Sequence, residues 1–497
     1  MIQARKSSQI TLVAVAALAA GLMFGSPAPA SSPNGEPSRI HAVETGLLPA
    51  ILVKGEPVAK MTLTERMAAL HVPGVSIAYF KDGHLVWTRG YGFADVAHKV
   101  AVTPDTLFQA GSISKPVAAM AAMKLVQDGR LSLDEDVNLR LKAWKVPDNA
   151  LGAQEKVTLR RLLSHSAGLT VHGFEGYERS APLPTLVQVL NGEKPANSQP
   201  VVVALTPGTK FVYSGGGYVV AELLMQETTG EPFARFMRDT VLQPAGMTAS
   251  TYDQPLPPAR YGVAAHAYDG KGAEVPGGWN VYPEQTAAGL WTTPTDLAHW
   301  AIELQNEAAG TSSRVLTPAT AHVMLTRGLG DWGLGLNLPS DGPARFGHGG
   351  ANVGFRNDLM AFVGDHREGF AIMTNGDNGS ELISEIERSL AAAYGWSIYR
   401  PQEMAAVAVP AATLTPFAGI YEDPQIGQVI VAVKDERLYI TIPALQSDAF
   451  EAHTASSTSF FLVMPGIVGE FQREPDGSVA TLVLKTPYGP FTVKRKS

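Results

Sequence analysis

The chain of 497 residues contains no cysteine. That absence excludes disulfides, thiolate metal sites, iron–sulfur clusters and a cysteine nucleophile, so any nucleophile must be an oxygen or an amine. Charge is also sparse: charged residues make up 17% of the chain, 39 basic against 46 acidic, for a net charge of −7. No run of Lys or Arg is long enough to follow a phosphate backbone, which argues against nucleic acid as a partner. The twelve histidines include no His-Glu-x-x-His pair, which argues against a metallohydrolase. Asp134-Glu135-Asp136 reads as a solvated turn rather than a ligand set. Long apolar runs are missing too, since the stretch Ile10 to Phe24 falls short of the ~20 residues that span a bilayer.

What is present reads as a globular, exported protein. Hydrophobic residues make up 45%, and the length allows about two to four domains at 100–200 residues each. Arg5 and Lys6 precede the apolar stretch, and Ala28-Pro29-Ala30 closes it with a small-x-small cleavage pattern. Residues 1–30 are therefore expected to be a cleaved signal peptide, leaving a periplasmic or secreted protein with no stable membrane anchor. Residues 31–60 show no clear period and read as a leader. Val75 to Phe80 and Leu85 to Arg89 flank an Asp-Gly step, a hairpin signal. Helical patterns follow at Lys115 to Asp128, Leu159 to Leu163, Tyr218 to Thr229, Thr295 to Asn306 and Glu381 to Tyr394. Strand candidates return at Leu359 to Val363 and Phe370 to Met373. Strands at both ends of a helix-rich middle predict an α+β fold whose terminal strands share one sheet, spanning residues 61–400. Residues 401–414 read as a linker. From 415 to 497 alternating runs, with Asp476-Gly477 as a further hairpin turn, predict a small all-β, barrel-like domain.

Chemistry points first to Ser112-Ile113-Ser114-Lys115, the one place where Ser precedes Lys by three. On a helix these positions share a face. The helix N-terminus would favour an alkoxide or oxyanion beside them. A lysine titrating near 10.4 acts as a base at neutral pH only if burial or a cationic neighbour lowers its pKa. By itself the motif is weak, and a capping Ser beside a solvated Lys would look the same.

Six ordered segments add weight: Pro73 to Ser76, Phe108 to Lys115, Leu159 to Leu169, Tyr213-Ser214-Gly215, Gly289 to Leu297, and His348 to Ala351. With these the chain resembles, over roughly Met61 to Trp396, the serine β-lactamase and penicillin-binding-protein-like hydrolases. The branch is that of class C β-lactamases, DD-peptidases, D-aminopeptidases and related esterases. The resemblance implies a β-lactamase/transpeptidase-like catalytic domain with Ser112 as nucleophile. Lys115 and Tyr213 would form a coupled base pair, with the proton's holder left open. His348 would take the first position of the Lys-Thr-Gly motif, orienting a substrate carboxylate or assisting proton transfer. It also implies an oxyanion hole from the N–H groups of Ser112 and Ala351, with Gly215, Gly349 and Gly350 at the substrate. Gly215 stands where β-lactamases have Asn, and His348 where they have Lys. Efficient antibiotic hydrolysis is therefore not expected.

The expected activity is hydrolysis of a peptide or amide through an acyl-enzyme, on a small-molecule or peptide substrate and without a cofactor. The alternatives are a carboxylesterase, a weak β-lactamase, or a non-catalytic penicillin-binding sensor. A nucleophile elbow at Ser164-His165-Ser166-Ala167-Gly168 is rejected, because it lacks the first Gly and follows a helix rather than a strand. Trp291, Trp332, Phe355 and Tyr177 are candidates for an acyl pocket. The loops Gly173 to Pro200 and Pro255 to Pro283 are candidates for the cleft border. The C-terminal module is a candidate oligomerisation surface.

Overall fold

A computed structural model describes residues 35–496 except 59, 366, 444, 446, 447, 476, 487 and 488. Residues 1–30, expected to be a signal peptide, and Asp476 of the expected hairpin turn lie outside the described residues.

The region before residue 400 is organised by one six-stranded sheet: β1 (Gly74–Lys81), β2 (His84–Asp95), β3 (Val100–Ala101), β4 (Arg345–Asn352), β5 (Phe355–Phe362) and β6 (Glu368–Thr374). Its spatial order is β3-β2-β1-β6-β5-β4, so strands from the two ends of the region do share one sheet, as the pattern predicted. The β1–β2 hairpin turns on Asp82 (φ 51°) and Gly83 (φ 80°) with Lys81 opposite His84. Two central residues with positive φ match the right-handed strand twist.

Side chains alternate along a strand, and here both faces are covered. Ala78 and Phe80 of β1 enter the larger core, whereas Val75, Ile77 and Tyr79 enter a second one. This double burial explains why β1 and β6 read as continuous apolar runs. The second core is closed by helix α1 (Glu36–Thr45) and by the last helix of this region, which places Leu382, Ile383, Ile386 and Leu390 against the sheet. The larger core holds α2 (Ser114–Gln127), α3 (Leu159–Leu163), α4 (Gly215–Thr229), α5 (Gln285–Ala288) and α6 (Pro294–Ala308), with α7 (Gly379–Tyr394) across the sheet from them. The stretch read as a leader without a period thus contributes α1. It also contributes a strand, Ile51–Val53, which pairs in parallel with Gln402–Met404 of the expected linker. Helix α1 buries only Ile40 and Val43, too few apolar positions to show a period.

Beyond residue 415, eight strands run β7 (Gly419–Asp423), β8 (Gly427–Lys434), β9 (Arg437–Thr441), β10 (Phe450–Thr454), β11 (Ser459–Leu462), β12 (Ile467–Arg473), β13 (Val479–Thr486) and β14 (Gly489–Arg495). Each pairs with the next, and β7 closes on β14 as a barrel. The interior is filled by side chains, with Phe417 and Phe471 stacked at 4.3 Å.

Candidate active site

Ser112 lies in a single 3-10 turn, Gly111–Ile113, that runs straight into α2. The turn is pinned from below. Ser114 Oγ donates to Gly111 O at 2.6 Å and accepts from Leu290 N–H at 3.0 Å, and the Tyr252 hydroxyl donates to Ser114 O at 2.6 Å. Two glycines let the turn touch β4. A Cβ on Gly111, at φ +54°, would lie 2.5 Å from Ala351 N, and one on Gly350 would lie 2.0 Å from Ala110 O. Neither distance is tolerable for a real side chain, so glycine is what allows the Ser112 turn and the Ala351 amide to approach.

Helix α2 is buried on nearly every side, which leaves Lys115 only 1% exposed. Its Nζ stands 2.9 Å from Ser112 Oγ and donates to Ala287 O of α5 at 2.8 Å. Desolvation disfavours the ammonium form and brings Lys115 down to about 7. A neutral amine at that distance can accept the hydroxyl proton.

Tyr213 precedes α4, whose N-cap Ser214 accepts from Gly217 N–H at 2.9 Å. The Tyr213 ring centre is 5.0 Å from Lys115 Nζ, and its phenol shares a hydrogen bond with the Ser112 side chain. Burial pushes the phenol above its ordinary value of ten, so at neutral pH it holds its proton while Lys115 is near half-titration.

His348 comes from β4, opposite Leu359 of β5. It is 6% exposed, and its Nδ1 lies 2.5 Å from Gly349 O. Nδ1 must therefore carry the proton, leaving Nε2 as a buried acceptor with no partner. Burial, then the charge of Lys115, lowers His348 to about 3. The imidazole is neutral at pH 7 and offers no cation to a carboxylate.

These groups meet at a cavity of about 670 Å³ walled by Ser112, Tyr213, Trp332, His348, Gly349 and Ala351, with Gly350 also in its lining. Gly215 is one step behind the wall, where a Cβ would meet His172 O and Phe174 at 3.1 Å. Of the four candidate aromatics, Trp332 lines the cavity. Trp291 and Phe355 instead face each other edge-on at 6.0 Å in the core, and Tyr177 is held by Glu284 and the Asn197 amide. Neither of the two loops expected at the cleft border lines it. Its wall draws instead on His172, Asn337, Pro339 and β4.

The rejected elbow is buried. Ser166 Oγ is hydrogen-bonded to Ser164 Oγ at 2.9 Å, after helix α3 rather than a strand. Its neighbour His165, which the sequence analysis does not count among the site residues, stacks on the Tyr213 ring with centres 4.1 Å apart and planes at 28°. The signal in the sequence is three consecutive polar residues, Ser-His-Ser, directly after Leu162-Leu163, and the structure buries all three. Among the described residues no three His, Asp or Glu side chains gather as a metal set, and no helix is long and apolar enough to cross a membrane.

The fold agrees with the comparisons. The chain belongs to the beta-lactamase family, whose model matches residues 60–394. Among curated relatives, "Protein flp" of Staphylococcus aureus (strain N315) is 27% identical over 241 residues, 46% of this chain and 45% of that protein. The chain thus spans about half the length of the Staphylococcus aureus relatives it matches. Penicillin-binding protein 4 of Amycolatopsis lactamdurans is 29% identical over 389 residues, 72% of this chain and 96% of the relative. Among solved structures, the octameric penicillin-binding protein homologue from Pyrococcus abyssi is 21% identical with a TM-score of 0.59. That match covers 87% of this chain and 98% of the homologue. A D-amino acid amidase from Ochrobactrum anthropi SV3 is 23% identical with a TM-score of 0.54, over 67% and 96%. At these identities the structures show a shared fold.

Proposed function

We propose that the chain is an exported serine hydrolase that cleaves peptide or amide bonds through an acyl-enzyme on Ser112. The observation that carries this reading is the 2.9 Å contact between Ser112 Oγ and a lysine nitrogen brought to about 7 by burial. Ser112 Oγ attacks the substrate carbonyl while Lys115 accepts its proton. The N–H groups of Ser112 and Ala351 hold the oxyanion, and such donors are each worth about 10²–10³ in turnover. Tyr213, still protonated, passes its proton to the leaving nitrogen and is restored from Lys115. Water then attacks the ester, with Lys115 again taking the proton. Neutral His348 presents its Nε2 lone pair to a donor on the substrate or to the proton path.

An uncharged His348 favours amides over acids or antibiotics that need a cation for their carboxylate. The D-amino acid amidase match supports the same choice. Residues 1–30 carry the export reading, and the octameric homologue, whose match covers 87% of this chain, supports assembly into an oligomer.

The test is intact mass after exposure to a fluorophosphonate, followed by turnover of aminoacyl nitroanilides, short nitrophenyl esters and nitrocefin. A single adduct on wild type, absent from Ser112→Ala, with nitroanilides fastest is expected. Equal labelling of both proteins would move the nucleophile elsewhere. Fastest turnover of nitrocefin would replace the amide assignment, and a penicillin adduct that never turns over would make the protein a sensor.

A further inference from the structure

We propose that His165 is a positioning residue that fixes the Tyr213 phenol for proton transfer. The proposal rests on the reading of Ser112, Lys115 and Tyr213 given above.

His165 grips Tyr213 from both sides of its backbone and across its ring. The His165 carbonyl accepts from Val212 N–H at 2.8 Å, and its Nδ1 accepts from Ser214 N–H at 3.0 Å. The two amides flanking Tyr213 in the chain are therefore bonded to one residue. Between them the imidazole lies face to face with the phenol ring. Trp332 stands edge-on to both, 5.9 Å from Tyr213 and 5.2 Å from His165, so the stacked pair has a wall on a second side. Three attachments remove the torsional freedom by which a tyrosine in a loop swings its hydroxyl. Side-chain position at this scale matters, since a displacement of about 1 Å costs about 10²-fold in rate.

The arrangement also dictates the chemical state of the ring. Nδ1 accepts, so the proton resides on Nε2, which is buried without a partner. Protonating Nδ1 would set one donor against another at Ser214. Burial, with the charge of Lys115 adding to it, holds His165 well below its ordinary pKa. The imidazole is thus a neutral plate and acceptor, and it takes no proton from the reaction. Its backbone adopts φ +53°, a left-handed conformation unfavourable for a side-chain-bearing residue. A residue that serves only as the end of α3 would be relieved of that strain by Gly. Here the strained conformation directs the ring at Tyr213.

The experiment compares wild type, His165→Phe, His165→Asn and His165→Ala in steady-state turnover, with thermal melts and fluorophosphonate labelling of each. Phe keeps the stack and loses the Nδ1 acceptor, whereas the Asn amide oxygen occupies the place of Nδ1 and loses the stack. The expected result is a fall in kcat of about 10²-fold in His165→Ala with KM within a factor of two. His165→Phe and His165→Asn should each recover part of it, while all folded variants still label on Ser112. Wild-type kcat in folded His165→Ala, or equal rises in KM and falls in kcat, would overturn the positioning role. If His165→Ala fails to fold, the same reading is taken from Asn against Phe, and kcat at wild-type level in either would overturn it. Wild type that does not label would instead overturn the Ser112 reading, a result separable from the others.

Discussion

Replacing Lys115 by Met should stabilise the protein at neutral pH while removing its activity. In the unfolded chain a lysine titrates near 10.5, and in the fold Lys115 titrates near 7. Between these values the unfolded chain binds one more proton, so wild-type stability climbs as pH rises from 7 to 10.5. Below 7 both states are protonated and the full penalty of the buried charge persists. A depression of that size corresponds to about 5 kcal/mol. Against it stands the hydrogen bond to Ala287 O, whose unpaired carbonyl would cost about 1–3 kcal/mol in the variant. The net expectation at pH 7 is a gain of about 2–4 kcal/mol, visible as a higher urea midpoint at unchanged slope, followed by tryptophan fluorescence. Near pH 10.5 the gain disappears, because the unfolded wild-type lysine then loses its proton as well. A variant less stable than wild type at pH 7 would refute the reasoning. So would a difference between the two proteins that stays constant from pH 7 to pH 10.

The same titration governs rate: kcat/KM should fall about tenfold per unit as pH drops below about 7, where Lys115 takes up a proton and can no longer accept one from Ser112. A pH–rate profile whose acid limb lies near 4 would assign the base to another group. Gly350→Ala places a Cβ 2.0 Å from Ala110 O. It should part the Ser112 turn from β4, lowering kcat/KM by at least about 10²-fold and stability by about 1–3 kcal/mol, measured by nitroanilide turnover and thermal melts. Wild-type kinetics in that variant would show that the approach of turn and strand is not needed.

The most legible parts of this protein were those fixed by short-range periodicity. Ser112 and Lys115 at i and i+3 meet at 2.9 Å, and the Asp82-Gly83 hairpin and the stripe of α7 lie where alternation and helical spacing put them. Less legible was everything set by chain crossings. No local pattern brings Trp332 into the cavity while sending Trp291 to the core, since both are isolated aromatics in loop-like sequence. The Ile51–Val53 pairing with Gln402–Met404 rests on three residues a side. Nor does sequence reveal that His165 faces Tyr213, because a left-handed residue after a helix end aims its side chain by backbone geometry rather than by spacing.

The central sheet has a consequence for the order in which the protein comes into being. Ile77 of β1 pairs with Ile372 of β6, so closing that ladder means closing a loop of about 300 residues, an entropic toll of about 5 kcal/mol before any contact rewards it. Such pairings form slowly and late. Ser112 and Lys115 are synthesised early, but β4, which brings His348 and Ala351, and β6, which ties the sheet together, emerge near the end of this part of the chain. A nascent chain halted before residue 345 therefore carries Ser112 without the strand that walls its cleft.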